Sequence, residues 1–449
     1  MPAVTTDLIA RVDDWLDIYT NLSAGDRCDF IDQTLDYPLT EDFLEDTEMS
    51  ILIAELEDRA GPAAMVRLVE KLRHVLPEFH FQETGYVEDT MLAWGLFHND
   101  PEQISTAAAY LRKGPVQFAS PFLMTFRWLC LYQKRDFAAE QAKTGFSPIH
   151  TSPEISPGVA NILADFLIYD KCERLYDQIS SGESPDAASL SELEDQLYGD
   201  DAKNLEERVI PVLSSPTWPQ PISEWRDKHQ RSAALEDLRW VFLRYQRDTK
   251  KFPFTTSSFI WNSVLRFFED GQSTQRDTYF YPTEQKLHQY LGSYTRFLSN
   301  QQDWAFTTVW GIPYVVDFLK TLGWMTPEEH AHCLSLAEHA KSLLIDGYAF
   351  DLWQYDFVHR WTPPDSVDPD GWAKEKQIFA DSLTVIRNVD RPDHNELLDF
   401  VPEGVLPKRD PVLGAIHGLL SAKERPTRPE PSKRKKPKKK RKKKKPRHH

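Results

Sequence analysis

Two short runs hold the side chains best suited to chemistry. The first is residues 351–361, DLWQYDFVHRW, where Tyr355 and Asp356 precede His359 by four and three residues. A carboxylate and an imidazole at that spacing can share a proton, which is what a general base requires. No GxSxG turn and no cysteine with a positioned partner accompanies them as a nucleophile. The plainer reading is a structural polar pair beneath an aromatic cluster. The second run is Glu329-His330-Ala331-His332-Cys333, followed by Glu338-His339. His332, Cys333 and His339 are ligand types that zinc accepts. On a helix His332 and His339 share a face, whereas His330 and His332 diverge by about 160° and cannot chelate together. No HExxH accompanies them, and an ordinary helix with solvated histidines is the alternative.

Residues 365–371, DSVDPDG, would fit a calcium loop with Gly371 in sixth place, but Gln377 then stands where the closing Glu belongs. An Asp/Pro turn explains the run better. Neither GxxxxGK[ST] nor GxGxxG occurs, so the usual phosphate-cradling loops are missing and no cofactor is expected.

The charge distribution points elsewhere. The chain has 449 residues and a formal net charge of −16, which averages two opposite parts. Residues 1–420 carry 37 bases and 67 acids, a net of −30. Residues 433–449 carry 13 bases and no acid: Lys433, Arg434, Lys435, Lys436, Lys438, Lys439, Lys440, Arg441, Lys442, Lys443, Lys444, Lys445 and Arg447. A block with no apolar surface to bury is expected to stay disordered from about residue 422. It should bind polyanions, RNA or ribosome rather than specific DNA, by releasing counterions without reading bases. Docking onto the protein's own acidic body, or no role at all, are the alternatives.

An acidic, lysine-poor body also suits a high-salt source. At about 1 M salt the screening length is only about 3 Å, so the arm then needs a dense polyanion. Pro437-Lys438-Lys439-Lys440-Arg441-Lys442 resembles the lysine-rich nuclear import signal of a viral large T antigen, which implies a nuclear regulatory role if the source is eukaryotic. Otherwise the cytoplasm is expected. The four cysteines are far apart, which fits a reducing compartment. Residues 1–19 lack the basic and apolar regions of a secretory signal, and no apolar run reaches the roughly 20 residues of a membrane span.

The elements that must position these side chains are helices. Leu8, Val12, Trp15 and Ile18 follow one helical face, Thr40 caps a helix over 40–60, and Thr326-Pro327-Glu328-Glu329 is a capping-box start. Ser189 and Glu192 have capping-box spacing for a short helix. Few alternating strands are evident, so the fold class is all-α, which excludes most doubly wound and barrel enzymes. Helix pairs recur over 86–143, where Trp94 and Trp128, Phe97 and Leu131, and Ala108 and Ala142 each lie 34 residues apart. This spacing resembles a tetratricopeptide array over residues 86–180, although no single unit reproduces that family's residue pattern. The resemblance implies helical hairpins stacked to form a face for a protein partner.

Residues 214–222, SSPTWPQPI, read as a stiff linker between a helical-hairpin domain over 1–213 and a second, aromatic-rich helical domain over 223–421. Eight of the 13 tryptophans lie between Trp240 and Trp372, dense enough for a bulky core or an aromatic groove. The combined expectation is a non-enzymatic interaction protein, with a protein partner on the helical surface and nucleic acid on the basic segment. The alternative is an all-α enzyme with its site at Tyr355, Asp356 and His359.

Overall fold

The structure, a computed structural model, describes residues 2–82, 84–199, 204–215, 228–269, 279–295 and 301–384. These residues form 21 helices, and no strand occurs among them. The chain opens with α1 (Thr6–Ile9), α2 (Val12–Thr20), α3 (Ala24–Thr34), α4 (Glu41–Asp46), α5 (Met49–Ala60), α6 (Pro62–Val75) and α7 (Pro77–Gln82). Next come α8 (Thr84–His98), α9 (Pro101–Lys113), α10 (Ala119–Leu131), α11 (Arg135–Thr151), α12 (Pro157–Ser180), α13 (Ala188–Tyr198) and α14 (Leu205–Ser214). The remainder is α15 (Lys228–Lys250), α16 (Phe254–Glu269), α17 (Glu284–Tyr294), α18 (Gln302–Thr321), α19 (Pro327–Gly347), a 3-10 helix (Leu352–Arg360) and α20 (Pro369–Ser382).

Side-chain caps set many of the starts. The hydroxyls of Thr40, Thr283 and Thr326 and the carboxylates of Asp100 and Asp368 accept backbone N–H groups of the first turn. Thr326 and Glu329 form the full capping box. Ser189 and Glu192 do not: α13 begins at Ala188, and the Ser189 hydroxyl donates to the Asp186 carbonyl at 2.5 Å. The 40–60 stretch is two helices, because Glu48 adopts a φ of 50° between α4 and α5.

The 34-residue recurrence is visible in the backbone. Asn99 and Gln133 both take a left-handed φ, 56° and 59°, just past the ends of α8 and α10. The N–H groups of Asp100 and Lys134 then reach back to the carbonyls of Gly95 and Leu129, at 2.8 and 2.7 Å. This is a six-to-one C-cap, and it satisfies orphan carbonyls while turning the chain into a hairpin. α8 packs on α9 and α10, α9 on α11, and α11 on α12. Ala108 and Ala142, at matching positions of α9 and α11, are fully buried, as small residues at close helix contacts must be.

The described residues, all of them before 385, pack as one compact unit, and helices from both sides of 214–222 share its core. Ser214 ends α14, whereas residues 216–222 of the expected linker lie outside the described residues, as do 422–449. α16 lies on α10 and α12 as well as on α18. Glu173 of α12 accepts the Phe254 N–H at 2.8 Å, so a carboxylate 81 residues away caps the first turn of α16. Arg127 of α10 grips Asp303 of α18 through two bonds, at 2.5 and 3.1 Å, with both side chains buried.

The end of the 3-10 helix is tied to the hairpins in register. Arg360 donates to the Phe97 carbonyl at 2.6 Å, and Trp361 donates to the Leu131 carbonyl at 2.9 Å. Phe97 and Leu131 are equivalent positions of successive hairpins, so two consecutive residues cap two equivalent helix ends. Trp361→Phe keeps the ring but leaves the buried Leu131 carbonyl without its donor. The expected cost is about 1–3 kcal/mol, read as a lower urea midpoint with an unchanged slope.

The tryptophans are core rather than groove. Seven of the eight between Trp240 and Trp372 are buried, and Trp304 is half-buried. All four cysteines are buried thiols. No helix among the described residues is long and apolar enough to cross a membrane.

Candidate functional site

Residues 352–360 form a 3-10 helix, in which side chains three apart eclipse one another. Trp353, Asp356 and His359 therefore stand in one row. The carboxylate nearest to His359, however, belongs to Glu375 of α20, whose Oε1 lies 3.2 Å from His359 Nε2. Asp356 is instead ion-paired with Arg360 at 2.6 Å. Burial pushes the Asp356 carboxyl above its ordinary pKa, although the charges of Arg360 and His359 oppose the shift. Tyr355 stacks flat on Phe306, with ring centroids 4.1 Å apart. The three residues singled out in sequence are thus neighbours, but they face different partners.

Glu375 is the centre of the cluster, and sequence reasoning missed it. Trp310 Nε1 of α18 donates to its Oε1 at 2.5 Å, and the Lys341 ammonium of α19 stands 3.8 Å from its Oε2. Burial alone pushes the Glu375 carboxyl up, but His359, Lys341 and Trp310 together hold it below its ordinary pKa. The rings of Trp372 and Phe379 meet His359 edge-on at 4.8 and 4.6 Å, and Lys341 lies over Trp310 and Trp372. One carboxylate therefore joins α18, α19, α20 and the 3-10 helix inside an aromatic box. Tyr355, Asp356 and His359 are 6%, 2% and 4% exposed, so a solute has little access to any of them. The arrangement suits a polar bolt through the core.

The histidines of α19 diverge as a 3.6-residue period requires. His330 Nε2 meets Asp317 of α18 at 2.7 Å. His332 Nε2 lies 2.7 Å from the Pro282 carbonyl, and its ring stacks on Tyr281 with centroids 4.0 Å apart. The Cys333 thiol donates to the Phe280 carbonyl at 3.4 Å, and burial pushes its pKa up to about 12. His332, Cys333 and His339 therefore do not converge. His339 turns instead to α17, where its Nε2 lies 3.0 Å from Glu284 Oε1. His288 Nε2, one turn further along α17, lies 3.8 Å from the same oxygen. The ligand atoms of Glu284, His288 and His339 all lie within 4.8 Å of one another.

In the loop over 365–371 two of the three carboxylates already have partners. Asp365 pairs with Lys250 at 2.6 Å, and Asp368 caps α20 by accepting the Gly371 N–H at 2.9 Å. The basic residues from Lys433 to Arg447 lie outside the described residues. No family model matches the sequence, and no curated protein or solved structure matches it either.

Proposed function

We propose that this is a helical interaction protein whose basic segment binds nucleic acid or a similar polyanion, RNA more readily than a chosen DNA site, without reading sequence. The observation that carries this reading is the separation of charge: a net of −30 over residues 1–420, followed by 13 cations within residues 433–449. Lys and Arg at that density release condensed counterions from a phosphate backbone and need no fold to do so. The helical body supplies the second half of the function. The hairpins α8–α12 recur in the manner of a tetratricopeptide array, and stacked hairpins offer a protein partner a broad surface. Two weak anchors on one chain raise avidity without any new contact.

The test compares the full chain with a chain lacking residues 422–449, and with a full chain in which all 13 Lys/Arg residues of 433–447 are Gln. Filter binding to a random RNA should be abolished in both variants at moderate salt. Retention of the parent affinity by the Gln-substituted chain refutes the proposal.

A further inference from the structure

We infer that Glu284, His288 and His339 form a binding site for one borderline divalent transition-metal ion, of which Zn2+ is the type case. Glu284 and His288 stand one turn apart on α17, and His339 faces them from α19. Two imidazole nitrogens and one carboxylate oxygen are the donor set that suits zinc, cobalt, nickel or copper, not calcium or magnesium, which take oxygen ligands. The spacing fits as well. A tetrahedral centre with metal–ligand bonds of about 2.0–2.1 Å sets its ligand atoms roughly 3.3 Å apart. The distances from Glu284 Oε1 to the two Nε2 atoms, 3.0 and 3.8 Å, bracket that value. The imidazole rings face the same carboxylate with centroids 5.6 Å apart and planes 36° from parallel. All three ligand atoms lie within 4.8 Å of one another, and side-chain rotation would have to close the widest gap onto one ion.

The site lies at the surface. The Glu284 and His339 side chains are 57% and 50% exposed and that of His288 is 16% exposed, so an ion enters directly from solvent. Three protein ligands leave the fourth tetrahedral position to water or to a ligand from a partner. The ion would clip the first two turns of α17 to α19. It binds the folded chain only, since the three ligands come together only on folding, and it therefore raises the unfolding midpoint by mass action.

The experiment is titration of the full, chelator-treated chain with Zn2+ by calorimetry and with Co2+ by visible absorption. Expected are one saturable equivalent per chain, four-coordinate cobalt bands, and a thermal midpoint that rises with zinc. His288→Ala, His339→Ala and Glu284→Gln should each weaken binding by about 100-fold or more, since even outer-shell changes at metal sites cost 10–100-fold. His74→Ala, an exposed change on α6, should leave binding unchanged. The three site changes are at surface-reaching positions, and circular dichroism confirms that each variant folds. The inference is overturned by the absence of a saturable equivalent. It is equally overturned if the same affinity persists in both histidine variants, which places the ion elsewhere, for instance on His448 and His449.

Discussion

An Asp303→Ala chain is expected to lose about 3–5 kcal/mol of stability, the usual consequence of stripping one partner from a buried ion pair. Asp303 is 3% and Arg127 7% exposed, and the carboxylate meets the guanidinium through two bonds, at 2.5 and 3.1 Å. A guanidinium cannot discharge by losing its proton, so Arg127 loses two charge-assisted bonds while staying a buried cation between α10 and α18. Asp303→Asn keeps the shape and one acceptor and should lose less. Replacing both residues, as Arg127→Met with Asp303→Leu, should recover most of the loss, because an apolar pair of similar volume avoids dehydrating either charge. Urea unfolding of the four chains measures this. A shift below about 1 kcal/mol for Asp303→Ala contradicts a dehydrated pair, because only exposed ion pairs contribute so little.

That ion pair also marks where sequence reading stops. Arg127 and Asp303 are 176 residues apart, and nothing local to either announces the other. Helix starts were legible at Thr40, Thr326 and Pro327 because a cap depends on neighbours within four residues. The recurrence over residues 94–142 was legible too, since equal hairpins need equal lengths of chain. The partner of His359 was not. Asp356 has suitable local spacing, but Glu375 arrives from another helix and takes the imidazole.

The same limit explains the metal ligands. His339 was visible as a candidate, yet Glu284 and His288 lie on α17, more than 50 residues earlier. Their i, i+4 spacing was the available signal, and it has no meaning until α19 is known to face it. The Pro-rich stretch over 214–222 registers a local change of composition. Whether helices on either side share a core depends on long-range contacts such as Arg127–Asp303 and Trp361–Leu131.

Affinity for a duplex or structured RNA should collapse as salt rises, and this is the steepest response expected of the molecule. If all 13 cations of residues 433–447 met phosphates, log K against log salt would have a slope of about −12, at roughly 0.9 per contact. Not every charge of so dense a segment meets a phosphate at once, and half the contacts gives about −6. Between 50 and 200 mM salt that slope removes affinity by about 10³–10⁴-fold. The acidic body acts in the opposite sense. Its net of −30 repels a polyanion most strongly at low salt, and screening relieves that repulsion as salt rises. Deleting 422–449 should therefore remove the steep negative slope along with binding at moderate salt, and any residual binding should show a flat or slightly positive slope. Replacing six of the 13 cations by Gln should about halve the slope in the intact chain, because each lost contact removes a fixed increment. A slope shallower than about −2 for the parent, or one that survives the Gln substitutions, excludes phosphate neutralisation as the binding force.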